Sequence, residues 1–354
     1  MSDSSQPGDG LGCPIPHEDD CERITLAYGE GGRLSRRLIR ERVLPRFAND
    51  QLNTLGDAAF LTPKSRQLAF STDGYTVTPL FFPGGDIGQL AVFGTTNDLA
   101  VSGAIPRWLS LSLIIEEGLP WSVLDRVLDS IQAAAAIAKV SIVTGDTKVV
   151  PHGAADKLFI TTSGVGELLE PAPPGPCSLQ PDDVLIVSGP IGCHGAAVLC
   201  AREKFDFDPM PTSDCASLSL PLISLYTAGL TPRAVRDATR GGVAAVLHEW
   251  ADTSGLTCVI NESAIPVSDG VRAICELLGL DPLNFANEGT FVLATAPGLV
   301  ESTLSDLQQY VATHQVAVIG RVSPRRINPV LVIRGIGREI ALDEPSGSPL
   351  PRIC

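Results

Sequence analysis

The feature that most constrains the fold of this chain is an alternation of apolar, β-rich segments with helical segments, which begins after residue 50. Short runs of β-branched and aromatic residues favour strands, whereas longer segments with apolar residues every three or four positions favour helices. This alternation is typical of an α/β protein and argues against an all-helical one. It predicts strands at 68–71, 77–82, 108–115, 140–143 and 158–166, and helices at 85–101 and 121–138.

A cluster of five prolines interrupts the alternation between residues 170 and 181. Proline lacks a backbone N–H, so this stretch continues neither a helix nor an inner strand. The alternation then resumes, and the similar content of the two halves suggests a duplicated topology. The predicted strands of the second half are 184–188, 257–260, 291–294 and 316–319, and its predicted helices are 195–203, 218–228 and 242–252.

The length agrees with a division at the proline cluster, because 354 residues exceed the roughly 100–200 residues of an ordinary single domain. We predict a disordered extension at 1–22, an N-terminal domain at 23–170, a C-terminal domain at 182–340 and a flexible tail at 341–354. The extension and the tail are rich in Ser, Gly and Pro, a composition that does not favour a packed element. The two domains leave room for a cleft between them.

The chain carries 40 acidic and 26 basic residues, a formal net charge of -14, spread without long blocks. At long range this charge repels nucleic-acid phosphates and anionic lipid, so neither nucleic acid nor membrane is an expected partner. The sequence has no 18-residue apolar run, and its N-terminus lacks the cationic and apolar regions of a signal peptide. A cytoplasmic location is therefore predicted.

Nine cysteines are scattered along the chain, and no two of them form a CxxC pair. This pattern argues against a disulfide framework and against a structural zinc site. Most of the thiols lie in apolar stretches, where a cysteine is usually a small buried residue. Cys354 differs because it is the last residue and follows Pro, Arg and Ile. It is not a prenylation site, which would place the cysteine fourth from the end.

Four short acidic motifs lie in the first half, each at or just beyond the end of a predicted element. An Asp in such a motif often only caps a turn or a helix, but four of them in one domain favour a shared role. Carboxylates brought together repel one another unless a cation joins them, and their oxygens suit Mg²⁺ that bridges nucleotide phosphates. The implied ligand is a magnesium nucleotide. The motif residues are Asp57, Asp73, Asp98 with its neighbour Asn97, and Asp146 with its neighbours Thr147 and Lys148.

The sequence has neither a P-loop nor a Rossmann glycine fingerprint, so nucleotide binding would require a different fold. Three other segments are weaker candidates. The glycine cluster at 29–32 is either a phosphate-binding loop or a flexible turn. The segment with Asp237, Thr239 and Gly241 runs into a predicted helix, whose N-terminus either binds a phosphate or is simply capped. Glu288 precedes an apolar run, where a glutamate is either part of a turn or a base that faces a cleft.

Together these motifs resemble the aminoimidazole ribonucleotide synthetase (PurM-like, AIR synthase-related) superfamily and, within it, the HypE family of hydrogenase maturation proteins. The resemblance spans residues 23–354, and its most diagnostic feature is the terminal Pro-Arg-Ile-Cys, which other members of the superfamily lack. Two loops depart from the family pattern: Tyr28 and Glu30 stand where the family usually has His and Ser, and Cys193 stands where Asp is common. The segments that carry the resemblance are 71–75, 82–88, 144–150, 237–242, 286–289 and 350–354.

The resemblance implies a two-domain PurM-like α/β fold, with an N-terminal ATP-binding domain that dimerises through a β-barrel and a C-terminal α/β sandwich. In this family a partner carbamoyltransferase, HypF, loads a carbamoyl group onto the terminal thiol. An ATP-dependent dehydration then leaves a thiocyanate, and the cyanide passes to iron on the HypC and HypD scaffold for a NiFe-hydrogenase. The implied protein is a homodimer that uses ATP and Mg²⁺ and meets these partners.

The resemblance also implies roles for the candidate residues. Cys354 carries the carbamoyl group, Glu288 is the base, and Lys148 stabilises charge on the phosphoryl group or the amide oxygen. Alternatively, Lys148 only pairs with a surface carboxylate. The implied Mg²⁺ ligands are Asp57, Asp73, Asp98 and Asp237, and the other implied nucleotide-binding residues are Asn97, Asp146, Thr147, Thr239 and Gly241.

Two other functions fit parts of the sequence. A selenophosphate synthetase shares the fold and the aspartates and uses a reactive residue near its glycine loop, in the region of Cys13 and Cys21. The terminal motif argues against this function. A non-catalytic carrier would bind a nucleotide only as a structural ligand while its tail carries a group. ATP consumption that depends strictly on a carbamoylated Cys354 separates the enzyme from the carrier.

Overall fold

The computed structural model describes residues 22–335 and 337–345. The terminal Cys354, the early cysteines Cys13 and Cys21, and the predicted extension up to residue 21 therefore lie outside the described residues. Among the described residues, no helix combines the length and the apolar composition needed to cross a membrane. In this part of the chain, seven short 3-10 helices connect the larger elements, at Leu26–Tyr28, Leu52–Thr54, Pro176–Ser178, Glu262–Ala264, Pro282–Asn284, Pro297–Leu299 and Val311–Thr313.

The first half of the chain folds into a four-stranded sheet packed against helices. Its elements are α1 (Gly32–Leu38), a π-helical turn (Ile39–Val43), α2 (Leu44–Phe47), β1 (Leu68–Tyr75), β2 (Phe81–Phe82), β3 (Gly85–Asp86), α3 (Ile87–Val101), β4 (Ala104–Glu116), α4 (Trp121–Ala138), β5 (Ser141–Val150) and β6 (Leu158–Leu168). The strand order is β1-β6-β4-β5, and β2 and β3 form a separate pair. Strand β6 is antiparallel to β1 and β4, whereas β4 and β5 are parallel.

The second half folds around a seven-stranded sheet. Its elements are β7 (Val184–Val187), α5 (Cys193–Glu203), α6 (Ser219–Thr227), β8 (Ala234–Asp237), α7 (Gly242–Ser254), β9 (Thr257–Asn261), α8 (Asp269–Leu278), β10 (Phe291–Thr295), α9 (Val300–Leu307), β11 (Ala317–Ser323), β12 (Val330–Arg334) and β13 (Arg338–Ala341). The strand order is β13-β12-β9-β11-β7-β10-β8. Only the β9 and β12 pair is parallel among the described strands of this sheet. The expected mixture of helices and strands is confirmed.

Helix α3 joins the two halves because it is apolar on nearly all sides. Asp86 caps its N-terminus and accepts hydrogen bonds from the backbone N–H groups of Gly88 at 2.8 Å and Gln89 at 3.1 Å. The helix packs on β1 and β6 and also contacts α6 and β8 of the second half. A Cβ at Gly94 would lie 2.2 Å from the Tyr75 hydroxyl, so a glycine lets the helix approach β1. Polar residues near the end of α3 are thereby placed where the halves meet.

The predicted strand at 77–82 is wrong, because only Phe81–Phe82 is extended and paired. Pro79 lacks the N–H that a ladder requires, while Val77 and Leu80 are buried without belonging to a strand. Hydrophobic pattern alone does not distinguish such a buried loop from a strand. The elements that the sequence pattern missed are α1, α2, α8, α9, β3, β8, β12 and β13.

Strands β1 and β5 are longer than predicted, which moves two acidic motifs from strand ends into strands. Asp73 lies inside β1, and Asp146 lies inside β5. A Cβ at Gly145 would lie 2.1 Å from the carbonyl oxygen of Leu111 on β4. The glycine that favours a turn in the sequence therefore serves a close approach between two strands.

Candidate active site at the junction of the two halves

Four carboxylates from four different segments meet where the two halves join. Asp73 comes from β1, Asp98 from α3, Asp237 from the end of β8, and Glu288 from the loop before β10. Pairing of β8 with β10 explains the meeting of the last two, because Asp237 lies opposite Phe291, close in sequence to Glu288. We refer to these four side chains as the junction carboxylates.

A cavity of about 470 Å³ opens beside the junction carboxylates. Asp98 and Asp237 line it together with Ser71 and Arg236. The Ser71 hydroxyl donates a hydrogen bond of 2.6 Å to the Asp98 carboxylate, which orients that side chain. Carboxylate oxygens from both halves therefore face one space.

Burial and mutual repulsion raise the pKa values of the junction carboxylates. The pKa of Asp73 rises to about 6, first because of burial and then because of the charge on Asp98. Burial followed by the charge of Asp237 raises the pKa of Asp98, and burial also raises the pKa of Asp237. The pKa of Glu288 rises well above its ordinary value, through burial and then the charge of Asp214. A proton or a cation is consequently favoured in this group.

The junction carboxylates are not a ready-made metal cage. Within residues 22–335 and 337–345, no group of three or more His, Cys, Asp or Glu side chains is arranged to hold a metal ion. Mg²⁺ commonly keeps several waters and binds through one or two carboxylates and the phosphates of a substrate. Buried carboxylates with raised pKa values have the chemistry for that mode of binding.

A second cavity, of about 350 Å³, lies between the glycine loop and β5. A Cβ at Gly29 would lie 2.5 Å from the backbone nitrogen of Val149, so the loop packs directly on the strand. Gly31 has a φ of 78°, in the left-handed region that favours glycine. The glycine cluster therefore forms part of a cavity wall.

The motif around Asp146 lines the same second cavity, together with Thr147 and Lys148. The Lys148 Nζ lies 3.4 Å from an Asp146 carboxylate oxygen, and both side chains are exposed. Asp57 is an exposed residue between Gly56 and Ala58, which line this cavity. The structure thus places Asp57 beside the second cavity, away from the other three predicted Mg²⁺ ligands.

The two groups of predicted residues point to opposite faces of the first sheet. Residues opposite each other in paired strands project from the same face. Asp73 shares a face with Thr162, whose hydroxyl donates to a carbonyl of α3 at 2.9 Å. Asp146 and Lys148 alternate with the residues of that face and share the other, exposed face with Ser112. In one chain, Lys148 and Glu288 therefore belong to different sites.

The segment with Thr239 and Gly241 forms the N-terminus of α7. Gly241 and Gly242 have φ values of 77° and 61°, and a Cβ at Gly242 would lie 2.4 Å from the Leu283 carbonyl oxygen. Of the described side chains, none accepts a hydrogen bond from the first N–H groups of α7. The Gly242 N–H donates to the Thr239 carbonyl oxygen at 2.9 Å. The N–H groups that follow it have no side-chain cap among the described residues, so anion binding at this helix start stays a prediction.

Asn97 and Asp214 show two limits of the motif analysis. The Asn97 side chain donates to the Ala216 carbonyl at 3.0 Å and accepts from the Leu218 N–H at 2.8 Å. These bonds engage both of its polar atoms, so its nucleotide contact stays a prediction.

Asp214, which the motifs missed, accepts a hydrogen bond from the Glu288 N–H at 3.1 Å. Its sequence context, beside prolines and serines, favours only a turn.

The residues that depart from the family pattern have clear structural positions. Tyr28 packs edge-on against Trp121, with ring centroids 4.8 Å apart, and Glu30 is exposed. Cys193 is the buried first residue of α5. Burial, and next the charge of Asp214, raises its pKa to about 12, so this thiol stays protonated at neutral pH.

Comparison with known proteins connects both halves to one family. The family model of AIR synthase related proteins matches with its N-terminal domain at residues 55–168 and with its C-terminal domain at residues 180–332. The carbamoyl dehydratase HypE of Escherichia coli (strain K12) is 47% identical over 336 residues. That match covers 94% of this chain and 99% of the relative.

Solved structures are similar over the same extent. A crystal structure of the hydrogenase maturation protein HypE in complex with ATP matches with a TM-score of 0.89 and 43% identity, covering 93% of this chain and 99% of that one. A chain in a crystal structure of a HypE-HypF complex matches with a TM-score of 0.76 and 40% identity, covering 87% of this chain and 99% of that one. Both matches therefore span the two halves of the chain.

Proposed function

We propose, from the premise that this chain belongs to the HypE family of AIR synthase related proteins, that it is an ATP-dependent carbamoyl dehydratase of hydrogenase maturation. Its substrate is an S-carbamoyl group on its own Cys354, and its product is a thiocyanate that supplies cyanide to a NiFe-hydrogenase. The observation that carries the proposal is the junction site, where Glu288 is buried among Asp73, Asp98 and Asp237. The N-terminus of α7 adds anion-binding donors beside Asp237.

The chemistry requires activation of a poor leaving group, the amide oxygen. That oxygen attacks the γ-phosphorus of ATP, ADP leaves, and one N–H proton is lost. The second N–H proton then leaves, the carbon–oxygen bond breaks, and inorganic phosphate departs as the carbon–nitrogen triple bond forms. Thiocarbamate and ATP are thereby converted into thiocyanate, ADP and phosphate.

Glu288 is the residue proposed to take an N–H proton. Burial and neighbouring carboxylates raise the pKa of Glu288, which makes its ionised form a stronger base than an exposed glutamate. The position of Glu288 in the loop before β10 places it next to Asp237. The acceptor is thus close to the proposed phosphate site.

Mg²⁺ is the cation that the proposed nucleotide would bring. Asp73, Asp98 and Asp237 would hold it from both halves of the chain, with the phosphates completing its ligands. When bound, it neutralises charge on the phosphates during phosphoryl transfer. The role of Asp57 as a fourth ligand is a separate proposal, since this residue lies beside the second cavity.

The described end of the chain runs toward the junction site. The carbonyl oxygen of Leu342 accepts a hydrogen bond of 3.1 Å from Nε2 of His248 on α7. Further along, Pro345 Cγ lies 3.9 Å from the place that a Cβ would take at Gly241, the residue before α7. The nine residues from 346 to 354 can span at most about 31 Å. Cys354 is therefore within reach of Asp237 on the same chain.

We also propose a homodimer formed through the exposed face of the first sheet. Leu68 and Phe70 on the edge strand β1 are 49% and 69% exposed, which is unusual for apolar residues on a sheet face. Lys148 lies on this exposed face, so a second copy of the chain would lie against it. Pairing of two such sheets is the proposed origin of the closed barrel.

The proposed partners follow from the family. One structural neighbour is HypE in complex with HypF, so we propose that HypF loads the carbamoyl group onto Cys354. Transfer of the cyanide to a HypC and HypD scaffold is the corresponding proposal for the product. A cytoplasmic location accords with these exchanges between proteins.

The test is intact-protein mass spectrometry of the chain after incubation with HypF, carbamoyl phosphate and ATP, with Cys354→Ala as the control. A carbamoyl adduct should form only on the wild-type chain and should lose one water only with hydrolysable ATP. An adduct that never loses water, in the presence of active HypF, would support the non-catalytic carrier instead. No adduct that depends on Cys354 would contradict the proposed substrate.

A further inference from the structure

The segment around Ser213–Leu218 is fixed to the first half at both ends. The Ser213 N–H donates to the Pro83 carbonyl at 2.9 Å, and the Leu218 N–H donates to the Asn97 side chain at 2.8 Å. A Cβ at Gly84 would lie 2.6 Å from the Ser213 carbonyl oxygen, so the contact is tight. The segment therefore bridges the two halves directly beside the junction carboxylates.

Asp214 holds the Glu288 loop from within this segment. One carboxylate oxygen accepts from the Glu288 N–H at 3.1 Å, and the other accepts from the Gly289 N–H at 3.0 Å. The Asp214 carbonyl oxygen would lie 1.8 Å from a Cβ at Gly289, so only glycine fits there. On the other side, the Asn97 amide donates to the Glu288 carbonyl at 3.4 Å. The backbone of Glu288 is thus held on both sides.

We propose that Asp214 is a positioning residue for the dehydration, which fixes the direction of the Glu288 side chain through two hydrogen bonds to the loop backbone. The inference rests on the proposed function, in which Glu288 takes a proton from the carbamoyl nitrogen. A carboxylate suits this role because it offers one acceptor oxygen to each of two adjacent N–H groups. A misplacement of about 1 Å in such a group costs on the order of 100-fold in rate.

Replacement of Asp214 by Asn separates positioning from general stability. The Asn side chain has nearly the same size, but its amide nitrogen cannot accept a hydrogen bond, so one of the two bonds is lost. The single-turnover dehydration rate at saturating ATP should fall about 10- to 100-fold, while the half-saturating ATP concentration should change little. Asp183→Asn is the control for loss of a buried carboxylate. Asp183 is also buried and accepts from the backbone N–H of Gln180 at 2.7 Å, although its other oxygen pairs with Arg233 at 2.8 Å. It lies before β7, at the end of that strand away from Glu288.

A double-mutant cycle with Glu288→Gln decides whether Asp214 acts through Glu288. We expect Asp214→Asn to lower the dehydration rate of the wild-type chain strongly but to lower the rate of the Glu288→Gln variant little further. Asp183→Asn should leave the rate unchanged, even where it lowers the thermal stability to a similar extent. If the two substitutions lower the rate independently, so that their fold-changes multiply in the double variant, the positioning role of Asp214 is overturned. The proposed role of Glu288 is not affected by that result. A wild-type rate for Glu288→Gln would overturn the proposed role of Glu288 as well. If Asp214→Asn does not fold, Asp214→Ser, which keeps one acceptor oxygen on a shorter side chain, enters the same cycle.

Discussion

Glu288 is the residue on which the proposed chemistry depends most directly. A base acts only in its deprotonated form, and burial together with nearby carboxylates raises the pKa of Glu288. The dehydration rate should therefore increase with pH through a pKa above that of an exposed glutamate. Glu288→Gln should lower the single-turnover rate by about 10²- to 10⁴-fold, the usual contribution of a general base. Mass spectrometry of the carbamoylated chain over a pH series measures both effects, with Glu262→Gln on the surface as the control.

Asp73 predicts a pH dependence of stability in the absence of nucleotide and Mg²⁺. Its pKa is raised from an ordinary value of 3.8 to about 6, so the folded chain binds this proton more tightly than the unfolded chain. The resulting stabilisation is complete below the unfolded pKa and is lost as pH rises through the folded pKa. Asp73→Asn, which cannot ionise, should unfold at a higher temperature than the wild type near neutral pH, and this difference should vanish by about pH 4.

Calorimetry at several pH values checks this prediction, with Asp252→Asn on the exposed side of α7 as the control for loss of one carboxylate. A lower unfolding temperature for Asp73→Asn near neutral pH would contradict it. Added Mg²⁺ and nucleotide should reduce the advantage of Asp73→Asn, because a bound cation favours the ionised carboxylate.

At the residue scale, short motifs led to Asp73, Asp98, Asp237 and Glu288, and the structure brings these four together. The motifs place acidic residues next to Gly, Thr and Asn, a pattern typical of turns, although Asp73 lies inside β1 and Asp98 inside α3. They do not lead to Asp214, whose role depends on backbone groups that are distant in sequence. Only the folded chain shows that the N–H groups of Glu288 and Gly289 point toward it.

Among the elements, α7 has two roles in the proposed cycle. Its N-terminus has no side-chain cap and is proposed to bind a phosphate near Asp237. His248 near its middle donates to the Leu342 carbonyl at the start of the tail. From His248 to Gly241 the helix rises about 10 Å, which matches three extended residues from Leu342 to Pro345. The chain therefore follows the helix toward the junction site.

This geometry predicts that His248→Ala slows dehydration in the same chain. Without the hydrogen bond to Leu342, the start of the tail samples more directions, and the effective concentration of the carbamoyl group at the junction site falls. We expect a severalfold lower single-turnover rate with an unchanged half-saturating ATP concentration. His314→Ala is the matched control, since His314 also bonds a backbone carbonyl but is exposed and lies between α9 and β11. An equal effect of both substitutions would contradict the prediction.

The elements themselves could be predicted where pattern and length agreed. Helices α3 and α4 have long apolar segments, and their predicted limits at 85–101 and 121–138 are close to Ile87–Val101 and Trp121–Ala138. Strand β5 shows the opposite case, because Gly145 and Asp146 favour a turn although the strand continues to Val150. Tertiary pairing with β4 overrides that local preference.

At the scale of the whole molecule, the two halves contribute different parts of one site. The junction carboxylates come from both sheets, and α3 holds the sheets together. Lys148 does not belong to this junction in one chain, since it projects from the exposed face of the first sheet. Sequence motifs give no information on the face of a strand that a partner covers. The proposed homodimer therefore determines whether Lys148 and Glu288 act on the same carbamoyl group.

Subunit complementation tests this arrangement. Lys148→Ala and Glu288→Gln should each lower the activity of a homodimer strongly. For Lys148→Ala we expect a loss of about 10²- to 10³-fold if Lys148 stabilises phosphoryl charge. If Lys148 of one copy serves the junction site of the other, a mixed dimer contains one site with both residues intact. Exchange of subunits between the two variants should then restore about one quarter of the wild-type sites. If both residues act within one chain, every site in the mixture lacks one of them, and mixing should restore no activity even though size-exclusion chromatography with light scattering shows dimers.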